Sequence, residues 1–187
     1  MKKVFFIPLV ILLFAGCQKE MNSDNKAQND VLSQTNKASK KQARPISGDL
    51  SNAAVPGAEP VSCSGIFPVS GQNFIYGNVS HLGRLKSGSL GIAQECNITN
   101  FVTYLDLSIS FKEIYVAANG DKLFSSVTID IIGDPLTSGA TGTWTGSNII
   151  TGGTGRFEGA TGHWDQLNGK YFANGTATWS ILGEITY

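Results

Sequence analysis

Leu105-Asp106-Leu107-Ser108-Ile109-Ser110-Phe111-Lys112 alternates apolar and polar residues without a break. That is the period of a β-strand with one buried face and one wet face. Past Lys112 the phase slips: Glu113 is polar where an apolar residue is due, and Ile114 and Val116 follow. A β-bulge near Lys112-Glu113 is the expected cause. Downstream the alternation returns, with Ser125, Val127, Ile129 and Ile131 set against Ser126, Thr128 and Asp130. Asn119-Gly120 lies between the two runs. Asn-Gly suits the positive φ angles of a type I′ turn, so the runs are predicted to pair as a hairpin.

The same reading extends along the chain. Further candidate strands are Asn73–Ser80, Leu85–Gln94, Thr141–Thr151, Arg156–Asp165 and Lys170–Glu184. Turn signals separate most of them: Gly133-Asp134-Pro135, Gly152-Gly153-Thr154-Gly155 and Asn168-Gly169. Strands at this spacing imply an all-β sandwich or closed barrel. Small residues late in the chain, among them Gly159, Ala160, Gly162, Ala173, Gly175 and Ala177, permit tight bending and favour a single antiparallel barrel. The composition agrees, with 22 glycines and only 15% charged residues. Formal net charge is zero, so no basic field exists to attract nucleic acid.

The amino terminus has a different character. Met1-Lys2-Lys3 precedes an apolar run from Val4 to Phe14, and Ala15-Gly16-Cys17 follows. The run is short for a membrane span and Pro8 interrupts it, so residues 1–16 read as a removable signal. Phe14-Ala15-Gly16-Cys17 resembles the bacterial lipobox, with Phe14 where Leu is usual. The resemblance implies cleavage before Cys17 and its acylation, which would anchor the chain to a lipid bilayer. The alternative is an ordinary secretory signal that contains a cysteine. From Gln18 to Pro60 there is no aromatic residue, so residues 17–60 are expected to form a disordered tether and residues 61–187 the barrel. Gln18-Lys19-Glu20 resembles a surface-export signal of bacterial lipoproteins. The expected location is the outer membrane, on its periplasmic or cell-surface face. With Cys17 lipidated, Cys63 and Cys96 remain. In an oxidising envelope they form either a disulfide or two separate buried thiols.

Three segments carry a family resemblance. Gly152-Gly153-Thr154-Gly155-Arg156-Phe157, running on through Glu158, Gly159, Ala160, Thr161 and Gly162, resembles a hairpin of the allene oxide cyclase and dirigent superfamily. Ser80-His81-Leu82-Gly83-Arg84 and Ala118-Asn119-Gly120-Asp121-Lys122-Leu123 are similar to two upstream segments of bacterial relatives. The resemblance implies an eight-stranded antiparallel barrel with an apolar lumen, and weakly a homo-trimer. Plant members act on small hydrophobic substrates there, but the matched segments carry no catalytic residue. On the residues alone, Gly152-Gly153-Thr154-Gly155 is a tight hairpin with positive φ, and Phe157 plugs one face. It is no dinucleotide loop, because no βαβ unit surrounds it.

The chemistry on offer is sparse. His81 and His163 are the only histidines, without the spacing of a metal site. No cofactor motif is present. If the Arg156–Asp165 strand turns Phe157 inward, His163 and Asp165 point the same way. They are then either a proton-transfer pair in the lumen or a hydrogen bond at the rim. Arg84 is expected to be buried against a carboxylate such as Glu158, or to meet an anion at the barrel mouth. Trp144, Trp164 and Trp179 are core residues, lumen lining or a sugar-binding platform, with Trp179 placed to cap the barrel. Three functions fit: a non-catalytic envelope lipoprotein binding a small apolar ligand or surface partner, an isomerase or cyclase working in the lumen, or a structural module. A lumen filled by side chains marks the last; a cavity marks the first two.

Overall fold

The structure is a computed structural model that describes residues 41–100, 106–133 and 141–187. The signal residues 1–16, Cys17, Leu105 and the Asp134-Pro135 turn lie outside the described residues, as does the tether up to residue 40. The described chain is all-β. Its strands are β1 (Ala43–Ala54), β2 (Val61–Cys63), β3 (Phe67–Val69), β4 (Gln72–Val79), β5 (Gly83–Arg84) and β6 (Leu90–Asn100). They continue as β7 (Asp106–Val116), β8 (Lys122–Gly133), β9 (Gly142–Gly153), β10 (Thr161–Tyr171) and β11 (Ala177–Thr186), with one 3-10 turn at Gly155–Phe157.

Eight of these strands close into a ring in the order β6-β7-β8-β9-β10-β11-β1-β4. The last pairing, β4 with β6, is short and antiparallel, running from Gln72↔Ile92 to Phe74↔Leu90. Alternate residues point inward, as the period of two demands. Ile46, Leu50, Ile75, Val79, Leu107, Ile109, Leu123, Val127, Trp164 and Ile185 are among those buried inside.

β1 corrects the tether boundary. Residues 43–54 are not a stalk but a full ring strand, paired with β11 from Ala43↔Thr186 to Asn52↔Ala177 and with β4 from Gly48↔Val79 to Ala54↔Asn73. Average composition over residues 17–60 hid it. The strand turns Ile46, Gly48, Leu50 and Asn52 to one side, and Ile46 and Leu50 are buried. Only two large apolar residues are needed where the neighbouring strands supply the rest of the core.

The hairpin of β7 and β8 forms, but not through a type I′ turn. Only Gly120 has positive φ (96°), its N–H donates to Ala117 O at 2.8 Å, and Ala117 N–H donates to Asp121 O at 2.8 Å. Those bonds describe a three-residue loop with a bulge at Gly120. The expected bulge at Lys112-Glu113 is absent: the β7–β8 register runs unbroken from Leu107↔Ile131 to Val116↔Lys122. Phase is kept, so Glu113 and Tyr115 point inward and are buried. Ile114 and Val116 lie half-buried on the other face, where Val116 O accepts from Lys86 N–H.

Other boundaries move too. The strand expected at Leu85–Gln94 begins at Leu90 and runs to Asn100, with its register shifted between Ala93 and Glu95. Asn168-Gly169 is no turn. It is a bulge inside β10, with Asn168 at φ 55° and shifts against both β9 and β11. The turn into β11 comes later, where Gly175 N–H donates to Phe172 O at 2.9 Å. Cys63 and Cys96 form a disulfide with Cα atoms 4.4 Å apart, which ties the β2–β3 hairpin to β6.

Candidate functional site

The ring is packed at one end and hollow at the other. The three segments that carry the family resemblance meet at the packed end. Phe157, in the 3-10 turn, is fully buried there, and so is Leu82. Lys122 N–H donates to Thr154 Oγ1 at 2.9 Å, Thr154 N–H to Lys122 O at 2.8 Å, and Ala118 N–H to Leu82 O at 2.9 Å. Arg156 donates to His81 O, stacks over Phe157 with its Cζ 4.7 Å from the ring centroid, and approaches Asp121 at 3.9 Å. Asp121 accepts from Asn119 Nδ2 at 2.6 Å and Arg156 N–H at 3.2 Å, which holds its carboxyl below the usual range. These residues build a corner, and none of them lines the hollow end.

The hollow is a cavity of about 480 Å³, inside the range of small-ligand sites. Ile75, Ile109, Phe111, Val127, Ile129 and Ala177 give it apolar walls, to which Trp144 and Trp179 add indole rings 5.8 Å apart between centroids. At the mouth stand Phe67, Pro68 and Val69 of β3, together with Asn73 and Tyr171. Trp179 is therefore cavity wall rather than a cap.

Among the described residues one charged group reaches this space. Glu113 lines the cavity and is 6% exposed, and it is the only charged side chain among the buried described residues. Its Oε2 accepts from Tyr115 OH at 2.8 Å, from Ser125 Oγ at 2.9 Å and from Asn148 Nδ2. The Gln166 amide beside them adds a smaller pull of the same sign on the carboxyl. Burial pushes the Glu113 carboxyl above its ordinary value, while the four donors pull the other way and offset part of the rise. Burial, with the Glu113 charge beside it, raises Tyr115 well above its ordinary range.

The polarity of this network is fixed from one end. Trp144 Nε1 can only donate, and it donates to Gln166 Oε1 at 3.0 Å. Gln166 Nε2 is thereby turned to Asn148 Oδ1, 2.9 Å away. Asn148 Nδ2 in turn faces Glu113 Oε2 and Ser125 Oγ, the latter at 3.0 Å. Both amide oxygens are spent inside the chain of bonds, and every group touching Glu113 arrives as a donor.

The pair read as either a lumen proton-transfer pair or a rim hydrogen bond lies outside the cavity. His163 and Asp165 are exposed on the outer face of β10, and their neighbours Trp164 and Gln166 point inward. Phe157 and His163 do not share a strand face, because Phe157 belongs to the 3-10 turn and β10 begins only at Thr161. Asp165 accepts from Ser147 Oγ at 2.7 Å on the outside. Arg84 is exposed, not buried against Glu158. His81 holds the packed end, with Nε2 2.8 Å from Pro45 O. The polar residues that meet at the Glu113 carboxyl were legible only as single breaks in apolar faces: Glu113 after Leu107, Ile109 and Phe111, and Asn148 between Trp144 and Ile150.

No protein-family model, no curated protein and no solved structure matches this chain.

Proposed function

We propose that this chain is a cell-envelope lipoprotein whose ring takes a small apolar ligand into its cavity without transforming it. The observation that carries this is the cavity of about 480 Å³ with aliphatic and indole walls. A structural module has no use for such a void, because unfilled interior space forfeits packing contacts. In this reading the eight-stranded ring is a barrel of the allene oxide cyclase and dirigent type. The antiparallel closure and the meeting of the three motif segments at one end support that assignment. Acylated Cys17 anchors it to the outer membrane, and the chain before β1 serves as a shorter spacer than residues 17–60.

The test is titration of the full chain with a neutral apolar fluorophore, N-phenyl-1-naphthylamine. Saturable binding with energy transfer from Trp144 and Trp179 supports the reading, and linear, non-saturating signal overturns it. One observation favours a second reading, an isomerase or cyclase: a titratable carboxyl, Glu113, lies in the cavity. In that case the acid–base residue is Glu113, not His163 or Asp165.

A further inference from the structure

Among the described residues the charge in the cavity has no cationic partner. None of the described residues lining the cavity is Lys, Arg or His, and no other charged side chain is buried among them. A desolvated carboxylate is costly unless it is paired with an opposite charge or takes up a proton.

Burial alone favours the proton, and the hydrogen-bond network opposes it. A carboxylic acid needs an acceptor for its O–H, yet Asn148 Oδ1 already accepts from Gln166 and Gln166 Oε1 from Trp144. Tyr115 and Ser125 both spend their hydroxyl protons on Glu113. To accept from it one of them would have to turn its proton away, toward the other hydroxyl that lies beside it. As the donors stand, three converge on Glu113 Oε2 as on an ionised carboxylate, and a cation in the cavity would complete the pairing.

A metal ion does not fit that role. Hard cations take six or more oxygens, and here the neighbouring amides present N–H groups. An ammonium fits: it is a compact donor that needs one carboxylate and tolerates aromatic walls, where indole faces attract cations. The remaining walls are aliphatic, which calls for an apolar body behind the head group.

We infer that the cavity ligand is a small hydrophobic amine, bound as its ammonium against Glu113 with its apolar part along Ile109, Val127, Ile129 and the Trp144–Trp179 pair. The inference rests on the cavity reading given under Proposed function. It specifies the ligand's head group, which that reading leaves open.

The experiment is calorimetric titration of the full chain at neutral pH with three water-soluble probes of matched shape: 2-phenylethylamine, 2-phenylethanol and 3-phenylpropanoate. The amine is expected to bind roughly ten-fold or more tightly than the alcohol, because its charge pairs with a desolvated partner. The carboxylate probe is expected to be excluded. Glu113→Gln should abolish the preference, bringing the amine's affinity down to that of the alcohol. Should that variant not fold, the wild-type chain answers through pH. Amine affinity should fall on acidification as Glu113 takes up a proton, while alcohol affinity stays level. Tyr115 is the one other titratable group in contact with Glu113, and its raised range keeps it protonated throughout. Equal affinity for amine and alcohol, or tight binding of the carboxylate, overturns the inference while leaving the cavity reading intact. Failure of all three probes where the neutral fluorophore binds overturns it too; failure of the fluorophore as well removes both.

Discussion

Trp144 Nε1 donates to Gln166 Oε1 at 3.0 Å, and this contact orients every amide between β9, β10 and the Glu113 carboxyl. Trp144→Phe keeps an aromatic wall but removes the donor. Gln166 Oε1 is then a buried acceptor without a partner, at a cost of about 1–3 kcal/mol. Urea unfolding should show that loss in the midpoint with an unchanged slope. Because the amide order is no longer pinned, Trp144→Phe combined with Asn148→Ala should lose less than the two singles added together.

Glu113 makes stability depend on pH in a defined direction. Its folded pKa lies above the ordinary 4.5, so the folded state holds this proton more tightly than the unfolded chain does. The group's contribution is complete below 4.5 and is lost as pH rises through the folded pKa. Asp121 has the opposite sign in a different window: its lowered pKa adds stability that disappears as pH falls below its ordinary 3.8. Thermal unfolding across pH 4 to 8 should therefore show a decline that Glu113→Gln removes and Asp121→Asn leaves in place.

Much of this architecture is written locally in the sequence. The alternation from Leu107 to Phe111 and from Val127 to Ile131 marks strands because each apolar side chain faces one core. The cavity's chemistry was harder to read. Glu113 breaks an apolar face, and with Ile114 and Val116 following it, a slip of phase reads more simply than a buried carboxylate. Only Tyr115, two residues on and also inward, reports that the phase never changed. Its donors come from β8, β9 and β10, strands whose relative register no local pattern states. β1 is hard to read locally because one of its two partners, β11, is the last strand of the chain: Ile46 and Leu50 are a weak signal until β4 and β11 flank them.

The disulfide should act mainly on the unfolded chain. Cys63 and Cys96 are 33 residues apart, a loop whose closure entropy corresponds to about 3–4 kcal/mol. Replacing both by Ala should lower stability by about that amount. The ring itself should persist, since the β2–β3 hairpin lies outside its closure. Circular dichroism should keep the native strand signal at ambient temperature while the denaturation midpoint drops.

Gly169 makes room for the indole that anchors the network. It sits opposite Trp144 in the β9–β10 register, and a Cβ built there would come within 2.3 Å of Trp144 Cδ2. Gly169→Ala must therefore displace that ring, an overpacking cost of about 1–3 kcal/mol. The displaced indole also leaves Gln166. Near-ultraviolet dichroism of the tryptophans should change, and if the cavity binds amines through Glu113 the preference for 2-phenylethylamine should weaken along with it.

The sharpest contrast comes from where the folded unit starts. A chain beginning at residue 61 lacks β1, which leaves the facing edges of β4 and β11 unpaired and opens the ring between them. It also loses the buried side chains of Ile46 and Leu50, each worth about 1.5–3 kcal/mol of apolar burial. Added to the lost ladder, that consumes most of the 5–15 kcal/mol that holds a typical domain. A chain beginning at residue 41 keeps every described strand and should unfold cooperatively with dispersed amide resonances. The chain from residue 61 should give collapsed, poorly dispersed spectra and should aggregate through its two open edges. Equal dispersion from the two would mean that β1 is an addition to the ring and not one of its closing strands.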